Sequence, residues 1–503
     1  MTEHVDVLIV GAGISGIGAG YHLQSECPNR TYAILERRPQ IGGTWDLFRY
    51  PGIRSDSDMY TLGYSFRPWT DPKAIADGPA ILDYVRATAS EYGIDKKIRY
   101  GLQVKRASWS SEHSHWTVEA EREETGEVCQ FHCNFLFMCT GYFNYDSGYT
   151  PEFDGIEDFG GKVVHPQKWT EDVDYAGKRV VVIGSGATAV TLVPELAKQA
   201  DHVTMLQRSP TYMVSAPAID RMARWLRTKV SPKTVYSIVR WRNILFGLAF
   251  FKFCRRWPER ARKLLIGGVE KQLGADYDVE KHFNPRYNPW DQRLCLVPDA
   301  DFFQSIKAGT SSVVTDEIDR ITEKGIRLKS GQELPADLIV TATGLDLKFL
   351  SDLEFTVDGE RRDPSQSMAY KSMMFSDMPN LASSFGYTNA SWTLKCDLTC
   401  EYVARLLNYM DENGYRRCVP RCVPGSVETE KMLDLGSGYV QRSAHKFPTQ
   451  GKKAPWRLYQ NYILDSLTIR HARIRDPELE FSRQLPQRVA KEGAETDSQR
   501  RVA

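Results

Sequence analysis

The residues best suited to chemistry near the start of the chain lie in a loop at positions 42–56. Its two leading glycines permit close approach of the main chain to a ligand, and a Pro-Gly pair forces a turn. Trp45 and Tyr50 supply flat apolar faces beside the charged Arg54 and Asp56. This composition predicts a loop that lies over a planar ring such as a flavin. The alternative is a Gly/Pro-rich surface loop packed on aromatic side chains.

A glycine-rich turn stands before this loop, between an apolar strand at 5–10 and a helical pattern that runs to about residue 24. Gly11, Gly13 and Gly16 have the Gly-x-Gly-x-x-Gly spacing, and Glu36 ends the next strand, 20 residues after Gly16. Such glycines let a pyrophosphate approach the helix N-terminus, and the acidic residue accepts hydrogen bonds from a ribose. The unit predicts a site for a plain adenosine ribose, as in FAD.

A second strand-turn-helix unit begins at residue 179, and its turn has the form Gly-x-Gly-x-x-Ala from Gly184 to Ala189. The residue at the ribose position, 24 residues after Gly184, is Arg208. An arginine there accommodates a 2′-phosphate, which an acidic residue would repel. The second unit therefore predicts an NADPH site. The alternative for Arg208 is a surface arginine at the end of a strand.

The elements around the two units indicate the fold. A chain of 503 residues is expected to form two or three domains. The two units predict an α/β protein with two Rossmann-like dinucleotide-binding domains, for FAD and NADPH. Apolar strands at 135–141 and 338–344 both end in Thr-Gly, which predicts that the chain crosses between the domains twice. We expect an FAD-binding domain at 1–145 and 344–486, an NADPH-binding domain at 146–212 and 293–343, a helical insertion in the NADPH domain at 213–292, and a disordered tail at 487–503.

Charge and cysteine usage exclude several classes of protein. Lys plus Arg number 65 and Asp plus Glu number 64, so the net charge of +1 does not favour nucleic acid as a partner. The ten cysteines include no CxxC pair and no histidines at zinc-site spacing, so we expect reduced thiols and no metal site. The first strand begins too early to leave room for a signal peptide, which predicts a cytoplasmic protein.

The predicted insertion contains an apolar run at 244–253, flanked by Arg240, Arg242, Arg255 and Arg256. The run is too short to span a bilayer. The favoured interpretation is an amphipathic or buried helix of an inserted subdomain. The alternatives are peripheral contact with a membrane and an apolar entrance for the substrate.

Two longer patterns carry a family resemblance. Residues 43–56 have the form Gly-x-Trp-x-x-x-x-Tyr-Pro-Gly-x-x-x-Asp, and Phe159, Gly161, His165 and Trp169 form the pattern Phe-x-Gly-x-x-x-His-x-x-x-Trp. Together they resemble the fingerprints of type I Baeyer–Villiger monooxygenases, which are class B flavoprotein monooxygenases, and the resemblance extends over nearly the whole chain. Segments 46–60, 287–298 and 386–394 are most similar to the ethionamide-activating branch.

The resemblance implies an NADPH- and O2-dependent enzyme that converts ketones to esters or lactones through a C4a-peroxyflavin. Arg293 matches the active-site arginine of the family, and Asp56 matches the carboxylate that holds it. A guanidinium keeps its charge beside a peroxide anion because its pKa exceeds about 12. His165 matches a residue that supports the linker between the domains. From the residues alone, the favoured interpretation of Arg293 is a salt-bridged arginine at a domain edge.

Residue-by-residue matching extends to the cofactor and substrate sites. The resemblance implies FAD contacts for Ser15, Glu36, Thr44, Trp45, Asp46, Leu47, Asp56 and Val104. It implies NADP contacts for Arg54, Ser55, Gly184, Ser185, Gly186, Ala187, Thr188, Ala189, Val190, Arg208 and Ser209. Trp392 and Tyr60 are suggested as residues of the substrate pocket. Thr170 and Gln292 depart from the family pattern; Gln292 replaces a frequent lysine and leaves most of the 2′-phosphate recognition to Arg208.

Three functions stay open at this level. The first is ketone oxygenation, with sulfides and thioamides as further substrates. The second is an N- or S-oxidising flavin monooxygenase without ketone insertion; relatives of that kind carry Tyr or Phe at the position of Trp169, which favours the first function. The third is a non-catalytic flavin redox sensor, suggested by the basic and aromatic insertion.

Overall fold

Two sheets built around parallel strands organise the protein in a computed structural model that describes residues 3–433 and 435–483. The tail predicted at 487–503 lies outside these residues. In each sheet, one of the two Gly-rich turns directly follows the carboxyl end of a buried strand. This arrangement is the α/β class with two Rossmann-like units that the sequence predicts.

The first sheet has nine strands, and Glu3–Val10 lies at its centre, parallel to Tyr32–Leu35 on one side and Val128–Met138 on the other. A central parallel strand is covered on both faces, which explains the continuous apolar sequence of residues 7–10. The strand predicted at 135–141 begins earlier, because its first half pairs antiparallel with His115–Arg122. The other strands are Ile98–Arg99, Leu102–Ser110, Glu354–Val357, Glu360–Arg362 and Leu381–Ser383.

The second sheet has five strands, all of them parallel. Their spatial order is Ser311–Thr315, His202–Gln207, Arg179–Ile183, Leu338–Thr341 and Lys162–Val164. A small antiparallel sheet of Ile318–Thr322, Gly325–Leu328 and Glu333–Pro335 belongs to the same part of the chain. The segments that follow the two Thr-Gly pairs, Phe143–Gly148 and Leu345–Leu347, pair antiparallel with each other, so the two chain crossings run side by side. Met213–Ala216 pairs with Cys295–Pro298 around the insertion.

The helices follow the pattern expected for such units. The helix after each Gly-rich turn begins at once: Ile14–Glu26 is preceded by Gly13, and Ala187–Leu196 by Gly186. The remaining helices outside the insertion are Thr44–Leu47, Met59–Leu62, Gly78–Glu91, Asp301–Lys307, Trp392–Asn413, Gly438–Ser443 and Tyr462–Asp465.

The region after residue 216 is helical, with helices at Arg221–Leu226, Pro232–Arg256, Pro258–Leu273 and Val279–Phe283. The apolar run at 244–253 lies inside the 25-residue helix Pro232–Arg256, which begins with a Ser231 cap and a proline in its first turn. One side of this helix packs against the first domain through the buried side chains of Tyr236, Val239 and Ile244. No helix among the described residues is long and apolar enough to cross a membrane.

Candidate active site

A cavity of about 340 Å³ lies between the two nucleotide units. Its walls come from the first Gly-rich turn, the 42–56 loop, the first chain crossing and the start of the helix Ala187–Leu196. The predicted site residues that line it are Gly11, Gly13, Ser15, Glu36, Thr44, Trp45, Arg54, Ser55, Asp56, Val104, Ala187, Thr188, Arg293 and Trp392. The tertiary structure thus brings together most of the residues that the resemblance assigned to the flavin.

The first Gly-rich turn is shaped for close approach of a ligand. Gly11 has a φ of +105°, and a Cβ atom there would lie 2.5 Å from the carbonyl oxygen of Cys139, so only glycine fits. Gly13 caps the 13-residue helix that follows, and no side chain bonds the amide groups of that cap. The free amides and the helix dipole favour a negatively charged group at this end of the cavity. These features fit a pyrophosphate.

Glu36 is buried at the carboxyl end of the second strand and faces the cavity. Its Oε2 accepts from the Ala12 amide at 2.7 Å, and its Oε1 accepts from the Arg38 amide at 2.8 Å. Burial raises the pKa of Glu36, and these two hydrogen bonds and the Arg38 charge offset part of the increase. Each carboxylate oxygen keeps a lone pair, so the side chain can accept from ribose hydroxyls as predicted.

The 42–56 loop packs directly on the first Gly-rich turn. Gly43 has a φ of +58°, and a Cβ atom there would lie 2.9 Å from the Cα of Gly13. Trp45 is half-buried in the cavity wall. The carboxylate of Asp46 is buried and accepts from Arg38 at 2.6 Å and from Arg49 at 2.7 Å. Asp46 therefore anchors the loop, and it lies outside the cavity lining, as Leu47 does.

Arg293 and Asp56 form an ion pair at the cavity wall, with Nε and Oδ2 2.8 Å apart. Burial lowers the pKa of Arg293, but Asp56 and the neighbouring phenols more than offset this and hold the pKa above its ordinary value. Tyr142 also lines the cavity, and its ring stacks on Trp392 at a centroid distance of 5.1 Å. A permanent cation thus faces an aromatic, partly enclosed space.

The second Gly-rich turn reaches the cavity with Ala187 and Thr188. Gly184 has a φ of +130°, and a Cβ atom there would lie 2.3 Å from the carbonyl oxygen of Ala342. Ser185 donates to the carbonyl of Ser209 at 3.1 Å, which joins this turn to the loop that carries Arg208. The residues of this unit outside the cavity lining are Gly184, Ser185, Gly186, Ala189, Val190, Arg208 and Ser209. The unit has the form of a second dinucleotide site whose outer half is open to solvent.

A family model described as flavin-binding monooxygenase-like matches residues 5–357. The chain belongs to this family. It is 55% identical to the FAD-containing monooxygenase EthA of Mycobacterium tuberculosis over 484 residues, which cover 96% of this chain and 99% of that protein. It is 47% identical to the probable FAD-binding monooxygenase AlmA of Acinetobacter baylyi over 489 residues, which cover 96% and 97% of the two chains.

Solved structures of monooxygenases share the fold. An oxidised steroid monooxygenase bound to NADP is similar with a TM-score of 0.76 and 24% identity, covering 95% of this chain and 99% of that chain. The closed form of cyclohexanone monooxygenase gives a TM-score of 0.73 and 20% identity, covering 96% and 100%. The predicted fold class, the family resemblance and the cofactors FAD and NADPH are confirmed.

The second fingerprint of this monooxygenase supports the chain crossings and lies outside the cavity lining. Nε2 of His165 donates to the carbonyl of Gly344 at 3.2 Å, and Nδ1 accepts from the Gln167 amide at 3.2 Å, so His165 holds the second crossing. Burial lowers the pKa of His165, which favours this neutral form. Phe159 and Trp169 are buried in two different clusters of the second unit, and a Cβ atom on Gly161 would lie 2.4 Å from a backbone oxygen.

Two predicted NADP residues in the 42–56 loop have protein partners in the monooxygenase. The Arg54 guanidinium forms a two-pronged ion pair with Asp301, at the start of helix Asp301–Lys307. Ser55 is buried, and its Oγ accepts from the amide of Ser57 at 3.0 Å. Arg54 therefore ties the loop to the second unit while it also faces the cavity.

Of the two residues suggested for the substrate pocket, one lines a cavity and the other does not. Trp392 lines the main cavity and a smaller neighbouring cavity, and its Nε1 donates to Ser15 Oγ at 2.8 Å. Tyr60 is buried, its hydroxyl accepts from Arg227 at 3.2 Å, and it lines neither cavity. Gln292, which stands where the family often has a lysine, lies beside Gly436. It directly precedes Arg293, the residue that pairs with Asp56.

Sequence reasoning missed several cavity residues. These are Arg37, Tyr142, Tyr145 and Lys348 in the main cavity and Tyr439 in the smaller one. Tyr142 and Tyr145 directly follow the predicted strand that ends in Thr-Gly, so proximity to that end was an available signal. Tyr439 comes from a distant segment with no recognisable pattern, and its pKa is raised by burial although Arg293 lies close enough to oppose the shift.

Proposed function

We propose that this protein is an NADPH- and O2-dependent FAD monooxygenase that converts ketones to esters or lactones and also oxidises sulfides and thioamides. The observation that supports it best is the ion pair of Arg293 with Asp56 in the wall of the cavity between the two nucleotide units. The fingerprint ending in Trp169 and the membership of the flavin-binding monooxygenase-like family support the same assignment.

The residues present fit both cofactors. We propose that the free amides at the start of the helix after Gly13 bind the FAD pyrophosphate, that Glu36 binds its ribose, and that Thr44, Trp45 and Val104 lie along the flavin. On the NADPH side, Thr188 and the turn around it bind the pyrophosphate, and Arg208 binds the 2′-phosphate. When bound, NADPH supplies reducing equivalents to the flavin, and the reduced flavin activates dioxygen.

Arg293 supplies a charge that cannot be lost by proton transfer. A guanidinium beside developing negative charge lowers the barrier without any change of its own protonation state. Asp56 fixes its orientation through Nε and leaves the two terminal nitrogens available to a substrate oxygen. Tyr142 and Trp392 form the aromatic walls that limit the access of water. This arrangement suits the addition of oxygen to a polarised carbonyl carbon.

A second function, S-oxidation without ketone insertion, is favoured by one observation. The cavity wall around Arg293 is aromatic and apolar, and a sulfur atom needs no carbonyl polarisation to accept oxygen. The resemblance to the ethionamide-activating branch points in the same direction. A third function, a flavin redox sensor, requires only the two nucleotide sites and leaves the Arg293–Asp56 pair without a role.

The deciding experiment gives the purified holoenzyme NADPH, air and either an aryl ketone or a matched aryl thioether. We expect an ester from the ketone and a sulfoxide from the thioether, both detected by mass spectrometry. A sulfoxide with no ester over a broad ketone panel would leave only the second function. Flavin that NADPH never bleaches would leave only the sensor.

A further inference from the structure

A basic segment at residues 221–256 stands out from the rest of the chain. It contains ten Lys and Arg residues and no Asp or Glu, although the whole protein has a net charge of only +1. Its cations are Arg221, Arg224, Arg227, Lys229, Lys233, Arg240, Arg242, Lys252, Arg255 and Arg256. Arg240, Arg242 and Arg255 pair with Asp397, Asp220 and Asp291, which lie outside the segment, and the other seven cations have no carboxylate partner among the described residues. Seven uncompensated cations in one segment create a local field that favours an anionic partner.

The same segment exposes large apolar side chains. Phe246 is 71% exposed, Leu245 is 52% exposed and Trp241 is 48% exposed, all on the helix Pro232–Arg256. Ile238, Trp241 and Leu245 are three and four residues apart, so they lie on one side of the helix. Lys252 and Arg256 lie seven and eleven residues after Leu245, so they are on the same side of the helix, and both are exposed. One side of this helix is therefore apolar in the middle and cationic at its end.

A second element extends the exposed surface. The ring of Trp241 lies 5.9 Å from that of Tyr462, and the exposed Ile463, Leu464 and Leu467 follow Tyr462 on the short turn that begins there. We call the group of Ile238, Trp241, Leu245, Phe246, Ile463, Leu464 and Leu467 the apolar face. Clusters of this size are unusual on a surface that meets only water.

The helix is held rigidly from its other side. Arg240 is buried and donates to the carbonyls of Tyr60 and Gly63, each at 2.8 Å. Val239 and Ile244 are buried in the core cluster of the first unit. The orientation of the helix is therefore determined by the fold, and the apolar face points outward as part of the folded structure.

We propose that the apolar face binds the surface of a lipid bilayer that contains anionic phospholipid. Tryptophan, leucine and phenylalanine insert into the boundary between headgroups and acyl chains, and lysine and arginine beside them attract the anionic headgroups. A second copy of the chain fits less well, since a symmetric contact would bring two sets of these cations together. Nucleic acid would leave the apolar side chains without a partner.

The test uses the full-length holoenzyme and two kinds of vesicle, one of phosphatidylcholine alone and one that also contains phosphatidylglycerol. We expect co-flotation with the anionic vesicles, with a blue shift of tryptophan fluorescence. Binding should fall at least about tenfold when salt rises to about 0.5 M, because screening then acts over a few ångströms. Equal binding to neutral vesicles, or absence of binding to both, overturns the proposal.

Surface variants separate the two contributions. Leu245→Ser with Phe246→Ser should weaken vesicle binding by at least about tenfold, since both side chains lose the apolar area that they would bury in the bilayer. Lys252→Gln with Arg256→Gln should weaken binding to anionic vesicles and reduce its dependence on salt. The matched control is Val128→Ser with Val423→Ser, at residues 62% and 68% exposed, which should leave binding unchanged.

Folding and self-association are checked on the same samples. All variants should keep their flavin and the rate of its reduction by NADPH, because none of these residues lines either cavity. Vesicle binding that survives the double serine variant overturns the proposal. A wild-type oligomer that the double serine variant dissociates, together with no vesicle binding by the wild type, shows instead that the face joins copies of the chain.

Discussion

Arg293 Nε lies 2.8 Å from Asp56 Oδ2, and this ion pair joins the loop of the first nucleotide unit to the segment that follows the helical insertion. The contact forms inside the cavity wall beside Tyr142 and Trp392. The Arg293 side chain lines both the main cavity and the smaller cavity beside it. The position of the charge therefore depends on both segments.

Replacement of Arg293 by alanine should separate reduction of the flavin from oxygenation of the substrate. We expect ester formation to fall by about 10²–10³-fold, the usual effect of removing one charge-stabilising donor, while NADPH still bleaches the flavin. Hydrogen peroxide should replace the missing product. The measurements are stopped-flow absorbance for the flavin, mass spectrometry for the ester and a peroxidase assay for peroxide.

Arg327→Ala is the matched control for this experiment. Arg327 pairs with Asp319 on the small antiparallel sheet, remote from the cavity, and should leave both half-reactions unchanged. Asp56→Asn should reduce ester formation less than Arg293→Ala does, because the charge remains and only its orientation is lost. Normal ester formation by Arg293→Ala would remove this residue from the mechanism.

Replacement of Arg208 by alanine should weaken the discrimination between NADPH and NADH. A charged hydrogen bond to a phosphate contributes about 1.5–3 kcal/mol, so the KM for NADPH should rise by about 10–100-fold. The KM for NADH should stay within about twofold, since NADH carries no 2′-phosphate. Steady-state kinetics with both nucleotides measure the effect.

Arg320→Ala provides the control in the same domain, because Arg320 pairs with Asp158 at the surface. It should change neither KM. An equal rise for NADPH and NADH in Arg208→Ala would contradict its assignment to the 2′-phosphate and would indicate a general effect on this loop.

Arg240 should be one of the main contributors to stability in the insertion. It is buried, donates to two backbone carbonyls of the first unit and lies 3.4 Å from the buried carboxylate of Asp397. Arg240→Ala removes the cation beside that carboxylate, which keeps only the amide of Ser65 among the described residues, and leaves the two carbonyls without this donor; the loss costs about 3–5 kcal/mol. The thermal unfolding midpoint should fall by several degrees. Flavin fluorescence measures the unfolding.

Arg242→Ala tests whether this loss reflects burial. Arg242 lies two residues away on the same helix and pairs with Asp220 while partly exposed to solvent. Removing a pair of this kind costs about 1 kcal/mol or less. Similar losses of stability in both variants would show that Arg240 contributes no more than a surface pair.

The pair of His22 and Glu26 predicts a pH dependence of stability. Their Nδ1 and Oε1 atoms lie 2.6 Å apart. Burial lowers the pKa of His22, but Glu26 and nearby carboxylates more than offset this, so the pKa is raised in the folded protein. A raised histidine pKa stabilises the fold below the ordinary value of about 6.5, and the gain is lost as the pH rises through the folded pKa.

Glu26→Gln should therefore destabilise the protein by about 1 kcal/mol near pH 5.5 and much less near pH 9. Thermal unfolding at the two pH values measures the difference. Glu91→Gln, which breaks a pair with Arg67, is the control, because arginine does not titrate in this range and its effect should be the same at both values. An effect of Glu26→Gln that is independent of pH would contradict the assignment.

Local patterns were sufficient to predict the two nucleotide units. The spacing of Gly11, Gly13 and Glu36 follows from the backbone of one strand-turn-helix unit, and the structure places all three at the cavity. The limits of individual strands were less predictable. The strand Val128–Met138 changes from alternating to continuous burial along its length, because its first half has an antiparallel neighbour and its second half lies between parallel ones.

The direction in which individual side chains point was not predictable from the residues themselves. Asp46 was expected at the flavin, and its carboxylate instead accepts from Arg38 and Arg49 in a buried network. Tyr60 was suggested for the substrate pocket, but it is buried and lines neither cavity. Both residues belong to a segment with a recognisable pattern, but a pattern does not specify which side of a loop each side chain occupies.

The sequence by itself determined the two dinucleotide units and the basic, apolar character of the insertion, because these properties depend on residues that are close in the chain. The family resemblance implied the pairing of Arg293 with Asp56, which the structure shows, and only the tertiary structure decided which residues share the cavity and the outward direction of Phe246. These depend on how the two sheets and the insertion pack against one another, and packing involves residues that are hundreds of positions apart.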